Sequence, residues 1–343
     1  MFYYENAKTF EVYNVTFGRK GGENPLVVFG SIFHKDDKLV SNHRKGEFDR
    51  KKAKELIQKH EEIARGFGLQ PVLDVHGQTP EALKRYFEFA LEVADEPIII
   101  DGTIPSIRLP VVEFANELGA SDRVIYDAIN PDAREDELEA LKNNKITCAF
   151  LLALNQVDMT PKGRISILRE KLLPNAEKAG ITKPLLDTIV FDPPSLGLAA
   201  KAIELVKKEF GYPSGNGAVN AVELIGKWPY SKAALYSFAT ALYATNVVFG
   251  ADWIFYGSLQ DVEYIIPGLA IVDGLYAYTM RMMGHSVKLT KDHPLYKTLN
   301  VIKTGELKDL MKDEDWGSLY AVSYTHLRAH ETRHDLVCRL LLE

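Results

Sequence analysis

Polar side chains recur at the ends of short apolar runs through the middle of the chain. The residues that end these runs are aspartates and asparagines: Asp101, Asn130, Asn155, Asp187, Asn216 and Asn220. One such residue usually caps a helix or forms a turn. Five neighbouring runs that all carry them predict a shared site, because the carboxyl ends of parallel barrel strands open on one mouth.

Carboxylates and amides together suit a neutral, polar heterocycle such as a pterin. One carboxylate can accept both hydrogen bonds from the amide-like edge of that ring, and an asparagine can match either polarity. Gly215 and Gly217 would let the backbone approach the flat ring, since glycine has no Cβ. No third glycine follows at the required spacing, so a dinucleotide-binding fingerprint is not supported.

The chain offers little else for catalysis or for metal binding. Several histidines are scattered along it, and we expect each to be a surface or packing residue: His34, His43, His60 and His76. The two cysteines, Cys148 and Cys338, form neither a disulfide framework nor a Cys-x-x-Cys pair, which suits a reducing cytoplasm. We therefore predict a cytoplasmic protein that binds no metal.

Eight apolar runs alternate with helical stretches and would position these side chains. The runs are Leu26–Phe33, Pro71–His76, Pro97–Asp101, Arg123–Asn130, Ile146–Asn155, Pro184–Asp192, Tyr212–Asn220 and Trp253–Tyr256. Most are rich in Val, Ile and Leu with little alternation, which is typical of parallel strands covered on both faces. Eight strand-helix units predict a TIM (β/α)8 barrel. A doubly wound sheet would use the same pattern, but no break divides the chain into two halves, which favours the barrel.

Amphipathic stretches between the runs have apolar residues at helical spacing. Three of them are Asp49–Phe67, Thr79–Ala94 and Ser195–Phe210. Thr79 with Pro80 at the first helical position is a typical helix start, and Gly211 is a typical residue after a helix end. The alternating apolar residues of Thr9–Gly18 predict a short N-terminal β-hairpin that closes the floor of the barrel.

Bulk composition narrows the class of protein. The chain has 343 residues, of which 46% are hydrophobic and 26% are charged, as in ordinary globular proteins. No run reaches the roughly 18 to 20 apolar residues of a membrane span, and the N-terminus lacks the features of a signal peptide. A net charge of −6 without a basic stripe disfavours a nucleic-acid partner.

Residues 321–343 differ from the rest of the chain, and we expect residues 1–320 to form the barrel domain by themselves. The tail places three histidines and then Cys338 at helical spacing, which resembles a zinc-binding face. It more closely resembles a stretch found at the ends of many unrelated sequences, as if an adaptor or vector had been translated. We therefore expect a non-native tail without a function, in place of the true C-terminus.

The sequence resembles a known family of methyltransferases in and around the strand ends. The stretches that carry the resemblance are Val28-Phe-Gly-Ser-Ile-Phe33, Gly46-Glu-Phe-Asp49, Gln78-Thr-Pro-Glu81, Ile98-Ile-Ile-Asp-Gly102, Arg123-Val-Ile-Tyr126, Lys183-Pro-Leu-Leu-Asp-Thr188, Pro193-Pro-Ser-Leu-Gly197 and Gly211-Tyr-Pro-Ser-Gly-Asn-Gly-Ala-Val-Asn220. The family is that of the H subunit of the methanogen tetrahydromethanopterin methyltransferase. The chain looks still closer to bacterial members that pair tetrahydrofolate with a corrinoid protein in methylated-amine metabolism, such as that of glycine betaine.

The resemblance implies a reaction and partners. It implies a pterin-binding TIM barrel that moves a methyl group between N5 of a tetrahydropterin and the cobalt of a corrinoid protein. The pterin is tetrahydrofolate or tetrahydromethanopterin, with tetrahydrofolate favoured. The corrinoid arrives on a partner protein, because this chain lacks the Asp-x-His-x-x-Gly carrier motif. Family members form homodimers, and the apolar helices Ala233–Phe249 and Gly268–Met283 are candidate dimer surfaces, although packing on the barrel explains them equally well.

The resemblance also assigns roles to the strand-end residues. In the family an Asp after the third strand, an Asn after the fourth and an Asp on the sixth hold the pterin ring. These match Asp101, Asn130 and Asp187. An Asn after the seventh strand lies near N5 and matches Asn220, with Asn216 as the alternative. Because N5 is a poor leaving group, a hydrogen bond that tightens in the transition state would speed the transfer, and we predict that Asn220 donates it.

Other functions use similar barrels. A thiol-directed methyltransferase needs zinc on Cys and His, and the core lacks a second Cys. A Schiff-base aldolase needs a lysine near the carboxyl end of a strand, whereas Lys183 precedes its strand. Dihydropteroate synthase shares the pterin barrel, but its basic loop motifs are missing. A catalytically silent docking subunit of a corrinoid assembly stays open, and measured binding of methyl-tetrahydrofolate would exclude it.

Overall fold

Runs of Val, Ile and Leu with few polar residues form the strands, because parallel strands inside a helical layer are buried on both faces. The computed structural model describes residues 1–311. Within them the strands are β1 Phe10–Val12, β2 Val15–Phe17, β3 Val27–Ile32, β4 Val40–Asn42, β5 Glu47–Phe48, β6 Gln70–His76, β7 Ile98–Asp101, β8 Val124–Ile129, β9 Cys148–Leu152, β10 Lys183–Asp187, β11 Ser214–Asn216 and β12 Trp253–Ser258.

Eight of these strands close into one parallel barrel. Their order is β3, β6, β7, β8, β9, β10, β11 and β12, and β12 pairs with β3 to complete the circle. The predicted TIM barrel is therefore confirmed, and the doubly wound sheet is excluded. The seventh barrel strand is shorter than the predicted run Tyr212–Asn220, because its Gly- and Asn-rich sequence has few side chains that favour a strand.

Helices follow the barrel strands and form the outer layer. They are α1 Arg50–Gly66, α2 Pro80–Val93, α3 Pro105–Glu117, α4 Glu135–Asn143, α5 Pro161–Ile167, α6 Leu173–Lys178, α7 Pro193–Glu209, α8 Asn220–Glu223, α9 Lys232–Val248, α10 Val262–Met282 and α11 Pro294–Thr304. The Thr79 side chain caps α2 as predicted, by accepting from the Ala82 N–H. The α7 helix begins two residues before the predicted Ser195, because Asp192 and Ser195 form a capping box.

The N-terminal hairpin is present and lies at the floor of the barrel. Strand β1 pairs antiparallel with β2, and the amide of Gln70, at the start of β6, exchanges hydrogen bonds with Thr16. The buried side chains of the hairpin join one core cluster with those that fill the barrel: Val12, Val15, Phe17, Phe29, Phe150 and Trp253. The hairpin thus buries the amino-terminal end of the barrel, as the sequence predicted.

The two apolar helices proposed as dimer surfaces both pack within the chain. Helix α9 contacts α10, and α10 also contacts α1 and α11. Leu275, Met282 and Met283 nevertheless remain exposed along and just after α10. None of the helices in residues 1–311 combines the length and apolar character needed to cross a membrane. The predicted tail at 321–343 lies outside the described residues.

Candidate active site

Strand register brings four acidic side chains and a histidine to the mouth of the barrel. His76, Asp101 and Asp127 lie beside one another on β6, β7 and β8, since each is the lateral partner of the next. Asp74 lies on the same face of β6 as His76, two residues nearer the floor. Asp187 ends β10 on the far side. The barrel therefore gathers acids that are up to 113 residues apart in the chain.

A cavity of about 230 Å³ opens beside these residues, between the barrel and the last helices. It is lined by Ser31, His34, Asp74, His76, Asp101, Val219, Val222, Glu223, Leu235, Tyr236, Ala239, Tyr243, Tyr256, Gly257, Ser258, Asp261 and Ile265. No lysine or arginine of residues 1–311 is among them. Acidic, hydroxyl and apolar groups share the lining, which suits a small ligand that is polar but not anionic.

His76 and Asp101 form a hydrogen-bonded pair in this cavity. The Nδ1 of His76 lies 2.8 Å from Oδ2 of Asp101, and both side chains are partly exposed. Burial favours the neutral imidazole, but the hydrogen bond to Asp101 and the charges of Asp101 and Asp74 outweigh it and raise the pKa of His76. The bond fixes the direction of the Asp101 carboxylate.

Asp74 is the most deeply buried acid of the cavity. Its side chain is 4% exposed, and the Ser31 hydroxyl donates to its Oδ2 at 2.5 Å. The other oxygen, Oδ1, is buried and has no hydrogen-bond partner among the described residues. Burial and the neighbouring charge of Asp101 raise the pKa of Asp74 to about 8. At neutral pH this side chain is therefore mostly a neutral carboxylic acid.

The carboxyl groups of Asp127 and Asp187 also have raised pKa values. Burial, with the charges of Asp101, Asp74 and Asp187, raises the pKa of Asp127 well above its usual value. Burial also raises the pKa of Asp187 to about 7, although the Ile189 N–H bonds its Oδ1 at 2.7 Å. Burial and mutual repulsion thus favour the neutral form of Asp74, Asp127 and Asp187.

Arg164 places a positive charge on the side of the mouth where Asp187 lies. It belongs to α5, is 2% exposed, and attracts the Asp187 carboxylate, whose pKa it lowers. Neither of its Nη atoms has a hydrogen-bond partner in the part of the chain that the structure describes. The guanidinium of Arg164 therefore favours the charged form of Asp187 and partly offsets the effect of burial.

Only one of the three predicted pterin ligands lines the cavity. Asp101 lines the cavity, whereas Asn130 and Asp187 do not. Asn130 directly follows β8, is partly buried, and donates no side-chain hydrogen bond to the described residues. Asp187 is 9% exposed at the end of β10. These three residues thus keep polar atoms for a ligand placed over the mouth.

The amides of Asn155 and Asn216 are instead bonded to the protein itself. Asn155 donates to the Gly163 carbonyl at 3.0 Å and accepts from two N–H groups of its own loop. Asn216 is fully buried. It exchanges two amide hydrogen bonds with Asn246, at 3.1 and 2.9 Å, and also donates to the Thr188 hydroxyl. Both asparagines have structural partners that the sequence does not reveal.

The glycine-rich segment after β10 also differs from its prediction in detail. A Cβ at Gly215 would lie 2.0 Å from the Trp253 carbonyl oxygen, so strand packing already requires glycine there. At Gly217 the nearest atom would be Nδ2 of Asn220, at 3.3 Å. Asn220 does not end a strand; it begins the short helix α8, is exposed, and donates to the Val190 carbonyl at 3.2 Å.

Sequence reasoning missed the second barrel strand as a source of site residues. His76 and His34 were expected to be surface or packing residues, but both line the cavity. His60 does pack: it is fully buried, and its Nδ1 lies 2.9 Å from the Tyr256 hydroxyl. The end of this strand reads Asp74-Val-His76, and side chains two apart share a face. This spacing in the sequence could have indicated that Asp74 and His76 point to the same side of the strand as a pair of candidate site residues.

Over most of its length the chain is similar to one family. The family described as Tetrahydromethanopterin S-methyltransferase MtrH subunit matches residues 5–288. The H subunit of the tetrahydromethanopterin S-methyltransferase of Methanothermobacter marburgensis is 32% identical over 302 residues, which cover 84% of this chain and 96% of that protein. The protein of the same name from Methanosarcina mazei is 30% identical over 310 residues, which cover 85% and 98%.

Solved structures share the barrel. Dihydropteroate synthase of Yersinia pestis in complex with a sulfonamide drug superposes with a TM-score of 0.57, over 79% of this chain and 100% of that chain. The same enzyme with a pterine-sulfa conjugate gives a TM-score of 0.54 over 78% and 99%. Both are 14% identical to this chain, so the likeness concerns the fold alone.

Proposed function

Because this chain belongs to the family of the tetrahydromethanopterin S-methyltransferase MtrH subunit, we propose that it transfers a methyl group between N5 of tetrahydromethanopterin and the cobalt of a corrinoid protein. Members of the family are methyltransferases, and so is this chain. The family match carries the proposal, since it runs through all eight barrel strands and the loops between them.

The pterin that we propose is tetrahydromethanopterin, whereas the sequence alone favours tetrahydrofolate. The matching family and the relatives carry tetrahydromethanopterin in their names. Both pterins carry the methyl group on N5 of the same kind of reduced ring. The same ring ligands would therefore serve either pterin, and only binding measurements can distinguish which of the two is the substrate.

We propose that the pterin ring binds to strand-end side chains at the mouth of the barrel. Asp101 would accept from the amide-like edge of the pterin, with its direction fixed by His76. Asn130 and Asp187 would bond the remaining polar atoms of the ring, and Asn220 at the rim would donate toward N5. The cavity has no lysine or arginine of the described residues, in keeping with a ring that is not anionic.

The chemistry that the mouth must supply is activation of a leaving group. Co(I) is a strong nucleophile, so methyl transfer is an in-line displacement at carbon that needs no general base. The difficulty lies at N5, which leaves poorly unless it gains a proton or a hydrogen bond as the carbon–nitrogen bond breaks. Buried donors such as the Asp74 side chain are suited to this task, because hydrogen bonds inside a protein are stronger than in water.

A corrinoid protein would dock over the mouth, and the rim supports this proposal. Large apolar side chains are exposed in the segments that follow four barrel strands: Ile104, Val157, Phe191, Leu224 and Tyr230. The most exposed of them, Val157, is 98% accessible. Apolar residues exposed together around a polar opening are typical of a protein-binding surface. A homodimer through the exposed end of α10 would leave this rim free.

The proposal is tested by binding and by transfer. The full chain is titrated calorimetrically with N5-methyl-tetrahydromethanopterin and, separately, with N5-methyl-tetrahydrofolate. We expect both to bind and the first to bind more tightly. Transfer is then followed anaerobically with free cob(I)alamin as the acceptor, through the loss of Co(I) absorbance.

The outcomes separate the candidate functions. Binding of the folate alone would overturn the assignment to tetrahydromethanopterin. Binding of neither pterin would overturn the pterin site. Binding of a methyl-pterin would exclude the silent docking subunit that the sequence left open, and binding without transfer, to free cob(I)alamin or to a corrinoid protein, would overturn the proposed methyl transfer.

A further inference from the structure

We propose that Asp74 is the catalytic acid that delivers the proton to N5 as the methyl group leaves. This role rests on the proposed function, because it needs a methyl-pterin in the mouth. The sequence alone predicts that the amide of Asn220 donates a hydrogen bond to N5. In the structure this amide is exposed and donates to the Val190 carbonyl. Asp74 is instead buried in the wall of the cavity with one oxygen lacking a partner among the described residues.

The position of Asp74 follows from the register of the strands. Asp101, the proposed anchor of the ring, lines the same cavity as Asp74 on the neighbouring strand β7. Because Asp74 pairs laterally with Ile99, it lies two residues below the level of Asp101. A ring held at Asp101 would therefore lie on the mouth side of Asp74, whose Oδ1 has no hydrogen-bond partner within residues 1–311.

The surroundings of Asp74 keep its proton in place at neutral pH. Ser31 bonds Oδ2, so Oδ1, which is buried in the cavity wall without a partner among the described residues, is the oxygen left to carry a proton for a ligand. Burial and the charge of Asp101 raise its pKa to about 8. The titratable groups that line the cavity or interact with Asp74 are His34, His76, Asp101, Asp127, Glu223, Tyr236, Tyr243, Tyr256 and Asp261. Acids outnumber bases among them, which favours the protonated form.

The step balances without another reactant. Co(I) of the corrinoid attacks the methyl carbon, the carbon–N5 bond breaks, and its electron pair stays on N5. N5 takes the proton of Asp74, which becomes a carboxylate, and cobalt becomes methyl-Co(III). Solvent then returns a proton to Asp74. In the reverse direction the Asp74 carboxylate removes the N5 proton while N5 attacks the methyl group.

The test compares Asp74→Asn, Asp74→Glu and Ser31→Ala with the wild-type full chain. Transfer from N5-methyl-tetrahydromethanopterin to free cob(I)alamin is measured at saturating pterin as a function of pH, and pterin affinity is measured by calorimetry. In the wild type, the rate should fall as pH rises through about 8, because the acid form is lost. Asp74→Asn should lower the rate about 100-fold and remove this decline, with pterin affinity within about threefold of wild type.

Ser31→Ala supplies an independent readout. The Ser31 hydroxyl stabilises the Asp74 carboxylate and so lowers its pKa; without it the alkaline decline should move to higher pH. Asp74→Glu, which keeps an acid, should restore part of the rate. A purely structural role for Asp74 would produce none of these pH effects. Urea unfolding confirms that each variant is folded.

Two results would overturn the role of Asp74 alone. One is an unchanged rate and pH profile in Asp74→Asn, and the other is a loss of pterin affinity as large as the loss of rate. If the folded wild-type protein binds no methyl-pterin, the proposed function fails and the catalytic acid with it.

Discussion

The mouth of the barrel has two sides whose polar side chains differ in their hydrogen bonding. On the side of β3, β6 and β7, Asp74 keeps a buried oxygen without a partner among the described residues, and His76 and Asp101 line a cavity. On the side of β9 and β11, the amides of Asn155 and Asn216 are bonded to other groups of the chain. A polar group that the fold already satisfies has little left for a ligand.

This difference distinguishes residues with polar atoms available to a ligand from residues whose hydrogen bonds hold the cavity wall together. The buried amide pair of Asn216 and Asn246 ties β11 to α9, the helix that walls the cavity. Asp74 on β6 and Asp101 on β7 line the same cavity. At the cavity the asparagine pair thus fixes the position of α9, and Asp74 and Asp101 are the acids for which we propose a chemical role; Asp187, on β10, lies outside the cavity lining. Residue type at a strand end does not decide between these roles, whereas free hydrogen-bonding capacity does.

The largest expected effect is that of Asp101→Ala on pterin binding. Removing the carboxylate takes two charge-assisted hydrogen bonds from the ring and leaves His76 without its partner. We expect the Kd for N5-methyl-tetrahydromethanopterin to rise about 100-fold, equivalent to roughly 3 kcal/mol. Calorimetric titration measures it, with the exposed loop variant Asp132→Ala as the control. Equal affinity in both variants would remove Asp101 from the site.

Substitution of Asn216, whose amide helps to hold the cavity wall, should lower the stability of the protein and not its affinity for the pterin. Asn216→Ala leaves the buried Asn246 amide without its partner and removes the N–H donor to the Thr188 hydroxyl, which keeps its bond to the Gly215 carbonyl. We expect the free energy of unfolding in urea to fall by about 2 to 3 kcal/mol, while pterin affinity stays within about threefold of wild type. In a double-mutant cycle with Asn246→Ala, the two losses should not add. Lost affinity at unchanged stability would make Asn216 a ligand residue and break the comparison.

The sequence predicted the barrel well and the site only in part. Long Val- and Ile-rich runs identify strands such as β3 and β8 regardless of their neighbours, and the residues that end such runs led to Asp101 and Asp187. Asp74 was missed because a strand buried on both faces does not reveal which face points into the barrel. The partners of Asn216 could not be found either, since Asn246 lies 30 residues away on a helix.

The smallest expected effect is that of Asn220→Ala, which sharpens the distinction between the rim and the cavity. Asn220 is exposed at the start of α8, and its amide donates to the Val190 carbonyl at 3.2 Å. Water competes for an exposed donor, so its hydrogen bond to N5 should be worth about 1 kcal/mol, or roughly fivefold in rate. Since an amide does not titrate in this range, the pH profile of transfer should keep its wild-type shape.

The rate of Asn220→Ala is measured at saturating pterin across the same pH range as that of Asp74→Asn. A loss of about 100-fold would restore Asn220 as the main donor to N5, which is the role that the sequence predicted for it. In that case the rim, and not the buried side of the mouth, would hold the group that activates the leaving nitrogen. A fivefold loss with an unchanged pH profile is the result expected if that group lies instead in the cavity, where burial can keep a carboxylic acid protonated near neutral pH.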